Sequence, residues 1–432
     1  MVTRSLALAC LAAAPVAPLV GQQLTAVERA QTVAIIWAEA RYNFADWAVV
    51  RADWDSALVA NLRLASQAQS DMLFYRRLRR LVALLGDGQA AVIPAPNVRS
   101  RIARPPLVVA SVERRPFILG YAENDEMRVA RPERLSEILA VQGIPAEGWI
   151  RDSVLPEIAA ATSPDRWQRA VAWMLQGEKG TTLQLLVRTP AGSERGISVT
   201  RSVSLNDRWP LDPAPFAVES LPGGIVVVHL NSLGDDDIAR RFDRAFPDFG
   251  AVQGLVLDLR RTAGGRSALG YQILARLTDW PFAAVRWQTP EYRAVFRARN
   301  EPDSATTWYA PPPDTVRARR DRPTYRGPLA VLASSATAGA AEDFLAVFRA
   351  LRRGVIVGEP SAGDAGDAAT FTLPKSWAVA FSVTRHAAPD GAPLAGVGVP
   401  ADLSVAQRVS DLLAGRDPPL ESARRHVSGE QP

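Results

Sequence analysis

Apolar positions along the chain fall into three kinds of pattern. The first is helical. Thr25 and Glu28 form a Thr-x-x-Glu capping box, and Val27, Ala30, Ala34, Trp37 and Arg41 then recur at helical spacing. A second helix is expected from Ser70 or Asp71, with Phe74, Leu78, Leu81, Val82 and Leu85 on one face and Gly86 as its C′ glycine. The turn LGDGQAAVIPAP follows, and Pro94 and Pro96 end this unit. From about 105 to 205 the pattern changes to short apolar runs, PLVVASV, PFILGYA and TLQLLVRT, separated by turn residues. These read as strands of a small β-rich module, interrupted by one helix from about Pro164 to Leu175.

The third pattern begins near Gly223. GIVVVHL, GLVLDLR and PLAVLAS are continuous apolar runs of the kind buried on both faces of a sheet. Helical segments follow them at Asp235–Phe246, Arg266–Leu277 and Ala340–Arg352. Strand–helix alternation predicts an α/β core with right-handed crossovers. A Pro-rich insert, Phe282 to Gly327, separates the second and third units, and the polar chain after Gly415 is expected to fray. The fold class is therefore α+β and multidomain. The boundaries are 22–100 for the helical segment, 101–207 for the β-rich module, 208–410 for the α/β core and 411–432 for a flexible tail.

Composition narrows the class. The 432 residues allow two to four domains, and 47% hydrophobic with 22% charged residues excludes a wholly disordered chain or a polytopic membrane protein. Residues 1–21 read as a signal peptide: Arg4, then an apolar run from Leu6 to Val20 broken by Pro15 and Pro18, with cleavage near Gly21. An exported protein, periplasmic or extracellular, is expected, with no membrane span in the mature chain. Cys10 is the single cysteine, so neither a disulfide framework nor a cysteine zinc site is available. No cofactor or metal is expected. The net charge is +5, but the 48 arginines are interleaved with 45 acids and no basic stripe points to nucleic acid. The runs RRLRR at Arg76–Arg80 and RARRDR at Arg317–Arg322 read as solvated faces. His229, His386 and His426 are the three histidines, and Lys179 and Lys375 the two lysines, so candidates for a catalytic base are few.

Two stretches carry possible chemistry. In VLDLRRTAGGR a buried strand ends in paired glycines, Gly264 and Gly265, whose N–H groups could face a developing oxyanion. In VLASSATAGAAEDF a strand runs through small residues into a helix, placing Gly339 and Ala340 at a helix N-terminus, with Ser334, Ser335 and Thr337 as nearby hydroxyls.

These stretches resemble the tail-specific, or C-terminal processing, serine proteases, in particular their tricorn-core-like branch. The family pattern DLRxNxGG, TxSAAE, GExTxG, PDGxxxxGxGxxPD is matched in order by DLRRTAGG, TAGAAEDF, GEPSAGDAG and PDGAPLAGVGVPAD. LGDGQAAV resembles the family's DGHT turn, and LSEILAVQGIPAEGW with LQGEKGTTLQLLVRTPAG resembles its PDZ-like domain. The resemblance implies a PDZ-like module over 101–207 and a crotonase-like α/β protease core over 208–410. It also implies a polypeptide or peptide ligand, and it leaves the oligomeric state open.

Catalytic positions depart from the pattern. The family's nucleophilic serine falls on Gly339, its general-base histidine on Gln89 and its late glutamate on Ala395. The lysine of the serine–lysine branch falls near Asp364, and the asparagine of the DLR motif on Thr262. Gly339 offers no nucleophilic atom and the amide of Gln89 is not basic. The resemblance therefore implies a protein that binds polypeptide segments or C-termini, with Gly264, Gly265 and Ala340 as oxyanion donors and little or no proteolysis. One alternative is an active serine peptidase with Ser335 or Ser334 as displaced nucleophile and His386 as base. A second is non-covalent chemistry at the oxyanion hole. His229 reads as a satisfied core histidine. Gln89, Gly264–Gly265 and Gly339–Ala340 are expected around one cleft.

Overall fold

A computed structural model describes residues 23–249, 252–299, 307–318 and 323–430. The expected signal peptide, residues 1–21, lies outside the described residues. Three helices come first: α1 (Ala26–Asn43), α2 (Trp54–Ser66) and α3 (Asp71–Ala83). Each begins on a side-chain cap. Thr25 and Glu28 close a capping box on α1, Asp53 accepts from the N–H groups of Asp55 and Ser56, and Ser70 accepts from that of Leu73. Such caps satisfy N–H groups with no partner inside the helix. A short strand, β1 (Ala91–Ile93), follows the Asp87-Gly88-Gln89 turn.

The β-rich module is a sheet in the order β2 (Leu107–Val112), β3 (Arg115–Tyr121), β4 (Glu137–Val141), β5 (Thr182–Arg188), β6 (Glu194–Thr200), with neighbouring strands antiparallel. The alternating burial of β5 gives it one core face and one solvent face. Helix α4 (Ser163–Trp173) turns Trp167, Ala170 and Val171 onto that face, where they join Ile118, Ile138, Leu185 and Val187 in a hydrophobic centre of the module's own.

The core sheet runs β7 (Phe216–Leu221), β8 (Ile225–Leu230), β9 (Gly254–Asp258), β10 (Leu329–Ala333), β11 (Val355–Gly358) and, later in the chain, β14 (Leu403–Ser404). β7 is antiparallel to β8, and the remaining pairs are parallel. Every residue of β9 and β10 is buried, as their unbroken apolar runs require. One face packs α5 (Ile238–Phe249), α6 (Ser267–Leu274) and α7 (Ala340–Leu351) through Phe242, Ile273, Phe344 and Phe348.

Two expectations are corrected. The chain after Gly415 is not a frayed tail: α8 (Pro418–Ser428) covers the second face of the sheet, burying Ala423 and Val427 against Ile225, Val227, Val256 and Leu332. A parallel sheet needs cover on both faces, and this helix supplies it. Nor do α1–α3 form a core of their own. Phe74, Leu78 and Leu81 pack with Leu373, Trp377, Val379 and Phe381, which belong to a hairpin of β12 (Ala368–Leu373) and β13 (Trp377–Ser382). β1 pairs antiparallel with β13, tying the helical segment to the far end of the chain.

Val427→Ala should lower the unfolding free energy by about 1–3 kcal/mol through lost contact and a residual cavity. A urea melt followed by tryptophan fluorescence checks this; an unchanged midpoint would show that α8 lies outside the cooperative unit.

Candidate active site

Residues 334–339 connect β10 to α7. Gly339, the N-cap of α7, has φ 59° and ψ −122°. This backbone is strained for an L residue and free for glycine. Its N–H donates to Glu342 Oε2 at 3.1 Å, closing the first turn of the helix. A Cβ on Gly339 would stand 2.9 Å from Gln89 Nε2 and 3.0 Å from Gly264 Cα. Gln89, Gly264 and Gly339 therefore border one small space.

The glycine loop is pinned to this elbow. Gly264 N–H donates to the Ala338 carbonyl at 2.9 Å, and Ala338 N–H donates to the Thr262 carbonyl at 3.0 Å. Gly264 is thus committed as a donor and cannot serve an oxyanion, contrary to the expectation from sequence. The N–H groups of Gly265 and Ala340 enter no hydrogen bond within the described residues. Ala340 opens α7, where free N–H groups and the helix dipole favour a partial negative charge.

Gln89 is placed by buried carboxylates. Asp87 accepts from Gln89 N–H at 3.0 Å, from Ser382 N–H at 2.8 Å and from the Ser382 hydroxyl at 2.9 Å. Asp364 accepts from Gly88 N–H at 3.0 Å, from Ala161 N–H at 3.1 Å and from the Arg169 guanidinium. A Cβ on Gly88 would overlap the Asp364 carboxylate, so the DGQ turn needs its glycine. The Gln89 side chain donates to the Asp364 carbonyl at 3.0 Å. Glu342, fully buried, accepts from Ser361 Oγ at 2.6 Å, Gly363 N–H at 2.7 Å and Asp364 N–H at 2.8 Å, besides Gly339. Burial pushes Asp87 up to about 6, Asp364 to about 7 and Glu342 to about 8. Arg169, which also pairs with Asp165 at 2.8 Å, works against the rise at Asp364 without cancelling it.

His386 contacts the first turn of α7 through Asp343, whose N–H donates to the Gly339 carbonyl at 3.2 Å. It is buried, with Nδ1 3.0 Å from Asp343 Oδ1 and Nε2 3.4 Å from Asp367 Oδ2. Burial opposes its charge, but Asp343 and Asp367 outweigh that and raise its pKa to about 10. Asp343 also accepts from Ser267 Oγ at 2.5 Å. No hydrogen bond within the described residues joins His386 to Ser334 or Ser335. Ser334 Oγ donates to the Arg260 carbonyl at 2.8 Å, and the backbone N–H of the buried Ser335 serves Glu359. Ala395 sits in the loop whose next residue, Gly396, donates to the Gly363 carbonyl at 2.8 Å, and it brings only a methyl group. His229 is half-buried between Asp258 and Glu219, each 3.3 Å away, and the bond to Asp258 raises its pKa. Sequence reasoning missed Glu342, Arg169 and Asp343. Only Glu342 left a local signal, three residues after the N-cap.

The profile of peptidase family S41 matches residues 224–405, which hold β8 to β14 and the whole elbow. Over these residues the chain is similar to peptidase family S41. It is 26% identical over 246 residues to the chloroplastic C-terminal processing peptidase of Tetradesmus obliquus, covering 54% of this chain and 48% of that protein. It is 23% identical over 340 residues to the chloroplastic carboxyl-terminal-processing peptidase 2 of Arabidopsis thaliana, covering 76% and 59%. The matched stretch thus spans about half the length of these S41 relatives. Mature CPAF complexed with lactacystin has the same fold, with TM-score 0.72 at 13% identity over 93% of this chain and 98% of that one. The photosystem II D1 C-terminal processing protease follows at TM-score 0.52 and 18% identity, over 94% and 98%.

The buried carboxyl groups predict the sign of a pH effect. Asp87, Asp364 and Glu342 keep protons in the fold that the unfolded chain releases near pH 4, so their stabilisation is full below about pH 4 and is lost through about pH 6–8. His386 has the same sign, full below about pH 6.5 and lost as pH rises through about 10. Asp258, held low by His229 and Arg260 against its burial, acts oppositely but only below about pH 4. Calorimetry should show Tm falling from pH 5 to pH 9; a rising Tm would refute these charge states.

Proposed function

We propose that this S41-like protein is exported and binds polypeptide segments or chain termini in its core cleft, with little or no cleavage. The observation that carries the reading is the elbow at Gly339, which keeps a strained nucleophile-type backbone but presents no side chain. The Gln89 amide fills the space beside it. Acyl transfer needs an oxygen or sulfur at the elbow and a base to take its proton. Gly339 supplies neither atom, and an amide has no basic lone pair at neutral pH. What remains is a donor site for a peptide carbonyl, made by the N–H groups of Gly265 and Ala340. The β-rich module, read as PDZ-like, would add a second peptide surface, and residues 1–21 would direct export.

The displaced-nucleophile alternative asks His386 to act as base for Ser334 or Ser335. As an imidazolium with a pKa of about 10, His386 has no lone pair to accept a proton at neutral pH. The Ser334 hydroxyl already donates its hydrogen bond to the Arg260 carbonyl. Non-covalent chemistry at the oxyanion site would need an acid or base beside Gly265 and Ala340, and Gln89 is neither.

The wild-type protein should show no turnover of an unfolded protein substrate and no labelling by a fluorophosphonate. Gly339→Ser alone should stay inactive, because the base is absent and the new Cβ crowds Gln89 and Gly264. Gly339→Ser with Gln89→His should exceed either single change, since catalytic groups act cooperatively. Robust wild-type cleavage abolished by Ser335→Ala would overturn the reading.

A further inference from the structure

A cavity of about 340 Å³ lies where α3 meets the β-rich module. Helix α3 lines it with Tyr75, Arg76 and Arg79, and the module with Trp149, Gln176 and Arg201 among others. Its polar groups are brought together by the stretch 175–177. Arg79 Nη1 donates to Gln176 Oε1 at 3.0 Å. Arg201 Nε donates to the Leu175 carbonyl at 2.8 Å, and a Cβ on Gly177 would stand 2.5 Å from Arg201 Cζ. Glycine at 177 is therefore what lets the Arg201 guanidinium lie against the chain there. Two guanidiniums from distant parts of the sequence are thus held to three consecutive residues and line one space. Arg79 is further fixed by rings, 5.7 Å from the Tyr75 centre and 5.8 Å from that of Trp173, which give the cation a favourable face.

The lining is short of negative charge. Its buried acid, Glu157, is shared by Arg76 at 2.8 Å, Arg79 at 3.5 Å and Arg80 at 3.5 Å. Its other acid, Glu178, is taken by Arg101. Arg201 has no carboxylate partner among the described residues, and its Nη1 donates to the neutral Thr181 Oγ1 at 2.7 Å. Burial and the like charge of Arg76 both hold the Arg201 pKa below the ordinary arginine value. The amide nitrogen of Gln176 is buried and has no hydrogen-bond partner among the described residues. A buried donor without an acceptor is costly, so the missing component is an anion with several acceptor oxygens. Arg79, Arg201 and the Gln176 amide come from separate side chains and not from one planar fork. A tetrahedral phosphate offers such donors more acceptors than the two coplanar oxygens of a carboxylate. The rest of the wall is apolar or aromatic, with Met72, Met174, Trp149 and Trp173. Trp149 Nε1 is already given to the Met174 carbonyl at 2.8 Å, which leaves its ring as a surface for packing.

We propose that this cavity binds a small phosphate monoester with an aromatic body, its phosphate held by Arg79, Arg201 and Gln176 and its body packed against Trp149 and Trp173. The site is separate from the elbow and does not depend on the peptide-binding reading, since its ligand is not a polypeptide and none of its residues borders Gly339. Guanidiniums and an amide supply the specificity for phosphate, and the aromatic wall supplies the preference for an ester over the free ion. With α3 on one wall and the β-rich module on the other, the bound ester ties the two together, so occupancy raises the stability of the fold by mass action.

The test is isothermal titration calorimetry on the purified full chain with phenyl phosphate, inorganic phosphate, phenylacetate and phenol, paired with thermal melts in each ligand. Phenyl phosphate should bind about tenfold more tightly than each of the other three, raise Tm, and weaken as salt is added. Arg201→Gln and Gln176→Leu should each lower its affinity about tenfold while the Tm of the unliganded protein stays at the wild-type value. If one substitution lowers that Tm, the other carries the location of the site. Inorganic phosphate binding as tightly as phenyl phosphate would overturn the ester assignment, and phenylacetate binding as tightly would overturn the phosphate class. Undiminished binding of phenyl phosphate by the variants would overturn the location. No binding of phenyl phosphate at millimolar concentration would overturn the proposal and leave the reading of the elbow untouched.

Discussion

The buried Asp364 carboxylate is the point on which the rest of the structure turns. It joins the Gly88 turn of the helical segment, Ala161 and Arg169 beside the β-rich module, and the loop after β11 of the core. Burying a carboxylate is unfavourable unless charge and hydrogen bonds replace water, and Arg169 with two backbone N–H groups does so here. Loss of one partner from such a buried pair typically costs about 3–5 kcal/mol, because the other charge is left uncompensated. The same residue sets the site from both ends of its backbone. Its N–H binds Glu342, which holds Gly339, and its carbonyl receives the Gln89 amide. Three parts of the chain far apart in sequence thus fix one position beside the elbow.

The backbone at Gly339 is one that glycine adopts without strain. A non-glycine residue at φ 59° and ψ −122° would cost about 1–3 kcal/mol in strain. Glycine pays none of it, so nothing in the backbone needs relief at this position. On the proposed reading, the donors of the site would be the main-chain N–H groups of Gly265 and Ala340, which do not depend on the side chains nearby.

Much of this was legible in the sequence, and the exceptions have physical causes. The unbroken apolar runs of β8, β9 and β10 declared a sheet covered on both sides, and the order of motifs brought Gln89 and Gly339 together. The helix that covers the second face was missed because its buried stripe is only Pro419, Ala423 and Val427 amid charged residues. Helix α2 was missed because its apolar positions are few, with just Trp54, Ala57 and Ala65 buried. The shared core of α3 with β12 and β13 depends on contacts between distant parts of the chain, which local periodicity does not encode. RRLRR read as a solvated face. In the fold Arg79 is inserted between Tyr75 and Trp173, a placement set by a cavity wall and not by the helix alone.

The distribution of charge across the cleft completes the argument. Around the elbow the buried groups are acids, Asp87, Asp364 and Glu342, facing the single guanidinium of Arg169. Their raised pKa values mean that the site already resists the negative charge it holds, so a further anion there would be opposed. A neutral peptide carbonyl meets no such opposition at Gly265 and Ala340. Beyond Gly88 the balance reverses, and guanidiniums outnumber their carboxylates. On the proposed reading, the elbow would therefore favour an uncharged stretch of a bound chain over a carboxylate.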